Sequence, residues 1–534
     1  MHIVSIPQFQ KVDIVILWRL WSRIPFRPTW AGAALCLIFG LAVVFRVYNL
    51  GGRDLWTDEA WVALAALEDT PGAALTAGQS TPPWYLLTVW ALVKIAGGSE
   101  AVLRSLSLIF GLGTLILFWP LARRLASRTA ALLGLALVAF SPVMVYYSKE
   151  LKQYSGDAFF AVLILFLLER VRERESRWAW AALAAAGVLG LGFSHALIFT
   201  LPVALAVLWF TPKTGRSRAL LLGGIWAGAF GAYYFLFFRG QVDPGLLAYW
   251  AQDFPDFSGL GPFLRWLGAS FQRYFHYFFG DLGMFWAMPA VVAGGLALKR
   301  QKSGRVLLYL AGPVILTLVA AALHRYPFMG HYCGSRLMLF SAPLLFLTAT
   351  AGGTAVFTLL WRRRLHVAAL ALSGFLLLSF PPGELIKEGL YSRNFREEIQ
   401  PLVAHLQSQL KPQDWIYVYH YAVFPFKYYF RGSRDRISWG ESCVETDLAV
   451  GSPGRQAPRR LWLIAAHMPR LQEMRGFAYN LLGPQWRETA CLTRVGAVLF
   501  CFERTRTQVA KNRTFPAKPG KSSPSTPSAD KACK

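Results

Sequence analysis

The stretch LARRLASRTAALLGLALVAFSPVMVYYSKELKQYSGDAFFAVLILFLLERVRER (residues 121–174) alternates arginine clusters with apolar segments. Its two apolar segments, at about 129–147 and 156–169, are joined by a short turn that contains Lys and Glu. Apolar segments of roughly this length suit the hydrocarbon core of a bilayer, and Lys and Arg collect on its cytoplasmic side. The stretch therefore predicts two transmembrane helices joined by an outward-facing turn.

The same alternation continues on both sides of this stretch. It predicts an α-helical polytopic membrane protein with about eleven transmembrane helices. The apolar segments fall at about residues 29–48, 102–121, 129–147, 156–169, 178–193, 196–210, 219–238, 282–298, 306–323, 337–360 and 365–381.

The composition excludes several other classes of protein. Of the 534 residues, 55% are hydrophobic and only 16% are charged, whereas a soluble protein carries about 25% charged residues. The net charge of +26 comes from short basic runs between apolar segments, so it indicates cytoplasmic loops and membrane lipids rather than a nucleic-acid partner. The six cysteines form no CxxC pair, which gives no support to a zinc site or a redox pair.

The orientation of the chain depends on the apolar segment 83–97. If this segment crossed the membrane, the later basic clusters would face outward and the positive-inside rule would fail repeatedly. We therefore predict a juxtamembrane helix that lies at the outer interface. The outward-facing parts are then 49–101, 148–155, the stretch near His195, 239–281, 324–336 and everything after 382.

Four regions follow from this pattern. They are a cytoplasmic N-terminal segment (1–28), a transmembrane domain (29–381) with its first outer loop at 49–101, a small extracytoplasmic α/β domain (382–504) and a disordered basic tail (505–534). In the α/β domain, Cys491 and Cys501 flank a predicted turn. A disulfide and two free thiols both fit that spacing.

The first outer loop contains adjacent acids, Asp58 and Glu59, at the start of an apolar helical run, RDLWTDEAWVALAAL. Thr57 or Asp58 could simply cap this helix, because carboxylates are favoured at a helix N-terminus. The same position would also direct a carboxylate toward a substrate bound at the membrane surface. The two roles are compatible.

The next outer turn contains Glu150, Tyr154 and Asp157, which a helix would place on one face. Lys149 and Lys152 could neutralise these acids, so that the turn would be an ordinary solvated segment. A carboxylate near lipid is nevertheless costly unless it is paired or functional.

A third group of polar residues lies in HRYPFMGHYCGSR (324–336), which contains His324, Arg325, His331 and Arg336. Such cations could lie at the interface with their charged ends in water. They could also form an anion site, because guanidinium groups bind phosphate with paired hydrogen bonds. Outward carboxylates beside a phosphate site would suit a reaction on a lipid-linked substrate, with a carboxylate as base and cations on the departing phosphate.

The chain resembles the C-type integral-membrane glycosyltransferases, and among them the bacterial relatives of protein O-mannosyltransferases and of the lipid A aminoarabinose transferase. The resemblance runs from RVYNLGGRDLWTDEAW (46–61) through TPPWYLLTVWALVKIAGG (81–98) and SPVMVYYSKELKQYSGD (141–157) to RYPFMGHYCGSRLMLFSAPLLFL (325–347). It implies a polyprenyl-phosphate-linked sugar donor, inversion at the anomeric carbon, and an acceptor hydroxyl on a lipid, glycan or protein. The site would face outward from the cell inner membrane.

The resemblance also implies roles for individual residues. Asp58 would be the base with Glu59 beside it, and Glu150 or Asp157 would orient the acceptor or lie near a metal. The remaining residues are assigned to the donor phosphate (Arg325, Arg336, Arg53, His324) and to substrate contact (Tyr154, Tyr147, Trp61). Metal dependence varies among such enzymes, so Mg²⁺ or Mn²⁺ stays open and no metal ligand is assigned. Relatives often carry His or Lys before the Pro-Pro pair, whereas this chain has Thr81, so other cations must bind the phosphate.

Two other classes of protein compete with an enzyme. A transporter or lipid flippase would place ionisable residues near mid-membrane and show two related halves, whereas here the charges collect at segment ends. A membrane scaffold with an outer binding domain would not need the Asp58–Glu59 pair.

Overall fold

The structure is a computed structural model. It describes residues 30–78, 80–174, 176–211, 215–239, 250–300, 304–329, 334–378, 382–386, 390, 397–440, 458–467 and 470–505. The predictions for the segment 1–28 and, except for Thr505, for the tail 505–534 lie outside these residues.

Helices account for most of the described chain before residue 387. They are α1 (Trp30–Val47), α2 (Thr57–Leu67), α3 (Pro71–Ala77), α4 (Pro83–Ala96), α5 (Glu100–Leu125), α6 (Arg128–Phe140), α7 (Pro142–Tyr147), α8 (Tyr154–Glu173), α9 (Arg177–Phe193), α10 (Leu197–Trp209), α11 (Arg216–Tyr233), α12 (Leu260–Arg300), α13 (Arg305–Ala322), α14 (Ala342–Arg362), α15 (His366–Leu378) and α16 (Pro382–Ile386). A π-helical turn, Tyr234–Phe238, extends α11, and a 3₁₀ segment, Gly334–Ser341, leads into α14.

Each of the eleven predicted apolar segments contains a helix, and the predicted helical membrane fold is confirmed. Within the described ranges, six helices are long and apolar enough to cross a bilayer: Trp30–Val47, Glu100–Leu125, Arg216–Phe238, Leu260–Arg300, Arg305–Ala322 and Gly334–Arg362. Several other helices are apolar but shorter, including α4, α6, α9 and α10. For the shorter helices, crossing the membrane stays a prediction.

The stretch 239–281, which is expected to face outward, is helical over its second half, and the sequence pattern did not predict this helix. Helix α12 begins at Leu260 and continues through the predicted span to Arg300, with a kink at Gly280, whose φ is 73°. Phe278 and Phe279 pack against Phe346 of α14, at ring distances of 6.1 and 5.3 Å, which stabilises the added helix. Arginines and a histidine interrupt the apolar pattern there, so hydropathy did not reveal it.

A buried cation fixes α1 against the end of α6. Arg46 is fully buried, and its guanidinium donates to the carbonyl oxygens of Ala139 (2.7 Å) and Val138 (3.0 Å). The last carbonyls of a helix have no partner within it and carry partial negative charge, so a cation stabilises them. Arg46 Nε also donates to Ser148 Oγ (3.2 Å), which holds the turn 148–153 close to the first loop.

The C-terminal region is a small α/β domain, as predicted. It contains α17 (Gln400–Gln409), β1 (Trp415–Val418), α18 (Val423–Tyr429), β2 (Ile437–Trp439), β3 (Arg460–Ala466), α19 (Leu471–Leu482), β4 (Trp486–Arg494) and β5 (Ala497–Arg504). The strand order is β2-β1-β3-β5-β4; β1 is parallel to β2 and β3, and β5 is antiparallel to β3 and β4.

Both faces of this sheet are covered. Alternate residues of β3 point to opposite faces, so Trp462 packs with α17 and α18 while Leu463 packs with α19. Cys501 packs on the face covered by α17 and α18, whereas Cys491 packs on the face covered by α19. Both thiols are free. The sheet therefore separates the two cysteines, and the disulfide alternative is excluded.

Candidate active site

The two neighbouring acids of the first loop occupy different environments. Glu59 is fully buried in an ion pair with Arg104 of α5, whose Nε and Nη2 lie 2.9 and 2.8 Å from its two oxygens. The amide of Leu151 donates to the same carboxylate at 2.7 Å. Burial by itself would raise the pKa of Glu59, but the ion pair with Arg104 holds that pKa below its ordinary value. Glu59 thus joins α2, α5 and the turn 148–153.

Asp58 instead faces a partly open site. Its side chain is 28% exposed, and its Oδ2 accepts a hydrogen bond from Arg336 Nη2 at 2.9 Å. The Arg336 guanidinium lies 5.5 Å from the ring centre of Trp56 and 5.2 Å from that of Tyr154. Its Nε and Nη1 are buried and make no hydrogen bond to any residue that the structure describes. The guanidinium therefore has N–H donors left for a further acceptor.

Glu150 and two tyrosines border the same site. Glu150 is fully buried, and Trp56 Nε1 donates to its Oε1 at 2.9 Å. The ring of Tyr154 packs on that of Tyr147 at 5.2 Å, and Tyr277 donates to the Tyr147 hydroxyl at 3.0 Å. The structure thus brings one acid from each predicted cluster, Asp58 and Glu150, together with Arg336 around Trp56.

Lys152 is a cation of this site, although from the sequence it was expected only to neutralise the neighbouring acids. It interacts electrostatically with Asp58, Glu150 and Arg336. Withdrawal from water lowers the pKa of its ammonium group; Arg336 lowers that pKa further, while the carboxylates of Asp58 and Glu150 raise it. Sequence spacing gave no indication of the interactions with Asp58 and Arg336, because both residues lie far from Lys152 in the chain.

Asp157 makes a different contact from the other predicted acids. It is buried one helical turn beyond Tyr154 in α8, and the Ser194 hydroxyl donates to its Oδ1 at 2.5 Å. Ser194 Oγ in turn accepts from the amide of Leu197 at the start of α10 (3.2 Å). Asp157 thus ties α8 to the junction of α9 and α10.

The predicted phosphate ligands are divided between two places. Arg53 lies beside Glu59 and the turn 148–153: its Nη2 donates to the Lys149 carbonyl (2.8 Å) and lies 3.9 Å from Glu59. Arg325 and His324 are exposed at the end of α13, where the His324 ring packs on Phe254. The structure therefore places Arg336 and Arg53 beside the acids and leaves the other two on the surface. His331 lies outside the described residues.

The N-terminus of α2 is capped from the C-terminal domain, and this corrects the expectation that Thr57 or Asp58 caps it. The N-cap residue, Trp56, makes no side-chain cap bond. Instead Glu397, buried and 340 residues away, accepts the Thr57 amide at 3.1 Å. His467 Nδ1 lies 2.8 Å from the other oxygen of Glu397, and its ring stacks on Trp56 at 6.1 Å.

Further bonds hold the same few loop residues against the C-terminal domain. They are Gln400 N to Asp54 Oδ2 (2.8 Å), Leu55 N to the Tyr429 hydroxyl (2.8 Å) and Thr57 Oγ1 to the Tyr421 carbonyl (2.6 Å). Burial raises the pKa of Asp54 to about 6, against the Gln400 bond, which lowers it. Sequence spacing gave no indication of these long-range partners.

Trp61 lies one turn from Asp58 along α2. Its indole N–H donates to the Ala77 carbonyl (2.8 Å), and its ring stacks on Phe424 of α18 at 5.5 Å.

Within the described ranges, no group of three His, Cys, Asp or Glu side chains comes together as a metal ligand set.

These features define a helical membrane protein in which Asp58 pairs with Arg336, while the neighbouring residues Trp56 and Thr57 contact a small α/β domain. Residues 80–236 match the family model described as dolichyl-phosphate-mannose-protein mannosyltransferase. No curated protein sequence matches the chain.

The solved structures with a similar fold include ArnT and an archaeal oligosaccharyltransferase. ArnT from Cupriavidus metallidurans in the apo state is 13% identical with a TM-score of 0.50, over 89% of this chain and 98% of that chain. The apo oligosaccharyltransferase of Archaeoglobus fulgidus is 12% identical with a TM-score of 0.50, over 91% of this chain and 76% of that chain. The resemblance to C-type integral-membrane glycosyltransferases is thereby confirmed, and the chain has their fold.

Proposed function

We propose that the protein is a membrane glycosyltransferase that moves a sugar from a polyprenyl-phosphate-linked donor to an acceptor hydroxyl at the extracytoplasmic face of the cell inner membrane. The observation that carries this proposal is the Asp58–Arg336 pair. It combines a partly exposed carboxylate with a guanidinium whose buried Nε and Nη1 make no hydrogen bond within the described part of the chain. A base next to a site for an anion is what transfer from a phosphate requires.

Arg336 is the residue that we assign to the donor phosphate. A buried N–H without a partner is unfavourable, and a phosphate oxygen would satisfy it with a charge-assisted bond. The planar guanidinium has donors on separate edges, so one edge can hold Asp58 while another holds phosphate. Lys152 and Arg53 add positive charge nearby. These cations would act in place of the one missing at Thr81.

Asp58 is the residue that we assign as base. The acceptor oxygen attacks the anomeric carbon while the carbon–oxygen bond to the phosphate breaks, and the phosphate leaves with the bonding electron pair. The acceptor proton passes to the Asp58 carboxylate. Attack from the side opposite the phosphate inverts the anomeric carbon. Glu150, held by Trp56, would orient the acceptor, with Tyr147, Tyr154 and Trp61 as substrate contacts.

Glu59 receives a positioning role in this proposal. Both of its oxygens are engaged by Arg104, and it is fully buried. Asp157, through Ser194, would likewise position α8.

The family description supports a lipid-phosphate donor, because it names dolichyl-phosphate-mannose. The orientation rests on the basic clusters, which are expected to be cytoplasmic. The acceptor is a hydroxyl of a lipid, glycan or protein, and Mg²⁺ or Mn²⁺ stays open as a cofactor.

The test measures transfer of radiolabelled sugar from polyprenyl-phosphate mannose, and separately from polyprenyl-phosphate glucose, to acceptors in membranes that contain the protein. Asp58→Asn should lower the rate by about 10²- to 10⁴-fold, the usual contribution of a general base. Arg336→Lys should weaken donor binding, because a point charge cannot bind both Asp58 and phosphate with paired bonds. The control is Asp281→Asn, since Asp281 is 94% exposed outside the site. Transfer by Asp58→Asn at the wild-type rate would refute the assignment of the base.

A further inference from the structure

A cleft of about 450 Å³ lies between the first outer loop and the C-terminal domain. One wall comes from α2 and the residues after it, including Trp61, Glu68 and Asp69. The other wall comes from the C-terminal domain and includes Phe424, Lys427 and Arg434. We call this space the interdomain cleft.

The first residue of α2 that lines the interdomain cleft is Trp61, three residues after Asp58. Asp58, Trp61, Ala65 and Glu68 are spaced three, seven and ten residues along α2, so they share one helical face. At about 1.5 Å of rise per residue, Trp61 is only ~4.5 Å from Asp58 along the axis. Thr57 contacts Tyr421 and Trp61 stacks on Phe424, so α2 and the segment 421–427 run side by side away from Asp58.

The lining residues favour one chemical class of ligand. The facing walls around Trp61 and Phe424 are helices, whose main-chain groups are bonded internally, so they offer no strand edge to an extended peptide. An acyl chain there would remove carboxylates and cations from water without replacing the hydrogen bonds that they make to water, which is energetically unfavourable. A saccharide fits better, because its hydroxyl groups can bond to charged side chains while its C–H face packs on the aromatic rings.

We propose that the interdomain cleft is the acceptor subsite and that it binds a saccharide portion of the acceptor. The proposal rests on the proposed function, since the bound saccharide would present its hydroxyl to Asp58. It narrows the acceptor to a glycan, or to a lipid or protein that already carries a sugar. Trp61 and Phe424 form the stacking surface, and Glu68, Asp69 and Arg434 bond the hydroxyl groups.

The binding test uses saturation-transfer NMR on the full-length protein in nanodiscs. The probes are methyl glucoside, methyl glucosaminide and methyl glucuronide, with a Gly-Ser-Gly peptide as the alternative acceptor. At least one glycoside should receive saturation from the wild type, and the peptide none. The double variant Glu68→Ala/Asp69→Ala and the single variant Arg434→Ala should weaken that binding by about tenfold, the effect of losing one charge-assisted hydrogen bond.

These variants suit the test because all three side chains are exposed, so the fold does not depend on them. Glu473→Ala is the matched control, since Glu473 is an exposed carboxylate of the C-terminal domain outside the cleft. No signal from any glycoside, a signal from the peptide alone, or signals unchanged in both cleft variants would overturn the proposal.

Kinetics separate this inference from the proposed function. In the transfer assay, the cleft variants should raise the apparent KM for acceptor about tenfold and leave kcat within about twofold, because they remove ground-state binding. Wild-type KM values in both variants would refute the acceptor subsite while transfer itself stands. Absence of transfer by the wild type, with glycoside binding still lost in the variants, would refute the enzyme and leave a saccharide-binding cleft.

Discussion

Asp58 and Glu59 differ in role because an α-helix turns about 100° between successive residues. That rotation directs Glu59 to Arg104 in the core and Asp58 to Arg336 at the partly open site. The sequence indicated an acidic pair at a helix start, but it could not separate the two residues. Their partners are 45 and 278 residues away, so only the folded chain distinguishes them.

Replacement of Glu59 should therefore lower the stability of the folded protein, whereas replacement of Asp58 should mainly lower its activity. Glu59→Gln leaves the Arg104 charge buried without its counter-ion, which typically costs about 3–5 kcal/mol. We expect a marked fall in the thermal midpoint of the detergent-solubilised protein, larger than that of Asp58→Asn, because Glu59 and Arg104 are both fully buried whereas Asp58 is 28% exposed. Glu173→Gln is the matched control: Glu173 pairs with Arg124 but is 45% exposed, and such pairs contribute about 0–1 kcal/mol. Equal effects of Glu59→Gln and Glu173→Gln would contradict the assignment.

Asp54 should make the stability of the folded chain depend on pH. Burial is the main cause that raises its pKa from 3.8 to about 6, and the nearby Glu398 and Glu100 contribute to that rise. The folded state then binds a proton more tightly than the unfolded state, so this contribution to stability is complete below pH 3.8 and is lost as the pH rises to 6. Between those values the thermal midpoint of Asp54→Asn should fall less steeply with rising pH than that of the wild type. Parallel pH profiles would refute this role of Asp54.

At the scale of secondary-structure elements, α2 depends on a partner far away in the chain. The amide of Thr57 is satisfied by Glu397 rather than by a residue of its own loop. The apolar pattern predicted the helix itself, since its inward residues recur with helical spacing. The cap could not be predicted, because no local sequence pattern connects a loop to a carboxylate in another domain.

Loss of this cap should reduce activity through the position of Asp58. Glu397→Ala removes the bond to the Thr57 amide, which typically costs about 0.5–2 kcal/mol, and releases His467 from its carboxylate partner. We expect a lower kcat for sugar transfer with little change in donor KM. Glu397→Gln keeps an acceptor oxygen and should recover part of the kcat. If the glutamine variant is no better than the alanine variant, or if donor KM changes instead, the positioning role is wrong.

At the scale of the whole molecule, hydropathy and charge predicted the helical membrane body and the small α/β domain. Both patterns can be recognised in short stretches of sequence, because residues that are buried in lipid or in a sheet recur at regular spacing along the chain. The extension of α12 to Leu260 was missed because Arg265, Arg273 and His276 mask an aromatic helix that is stabilised by α14. The docking of the C-terminal domain on residues 54–57 was missed for a similar reason, since it depends on contacts between distant segments.

That docking makes the orientation of the molecule directly testable. The first loop and the C-terminal domain are joined by hydrogen bonds, so both must lie on the same side of the membrane. The positions of the basic clusters predict that this is the outer side. In a chain whose native cysteines are replaced by serine, Glu68→Cys and Glu473→Cys should react with a membrane-impermeant maleimide in intact spheroplasts. Arg174→Cys, at the other end of α8, should react only after permeabilisation. Labelling of Arg174→Cys from outside, or of the two glutamate positions from opposite sides, would contradict the orientation and with it the outward-facing site.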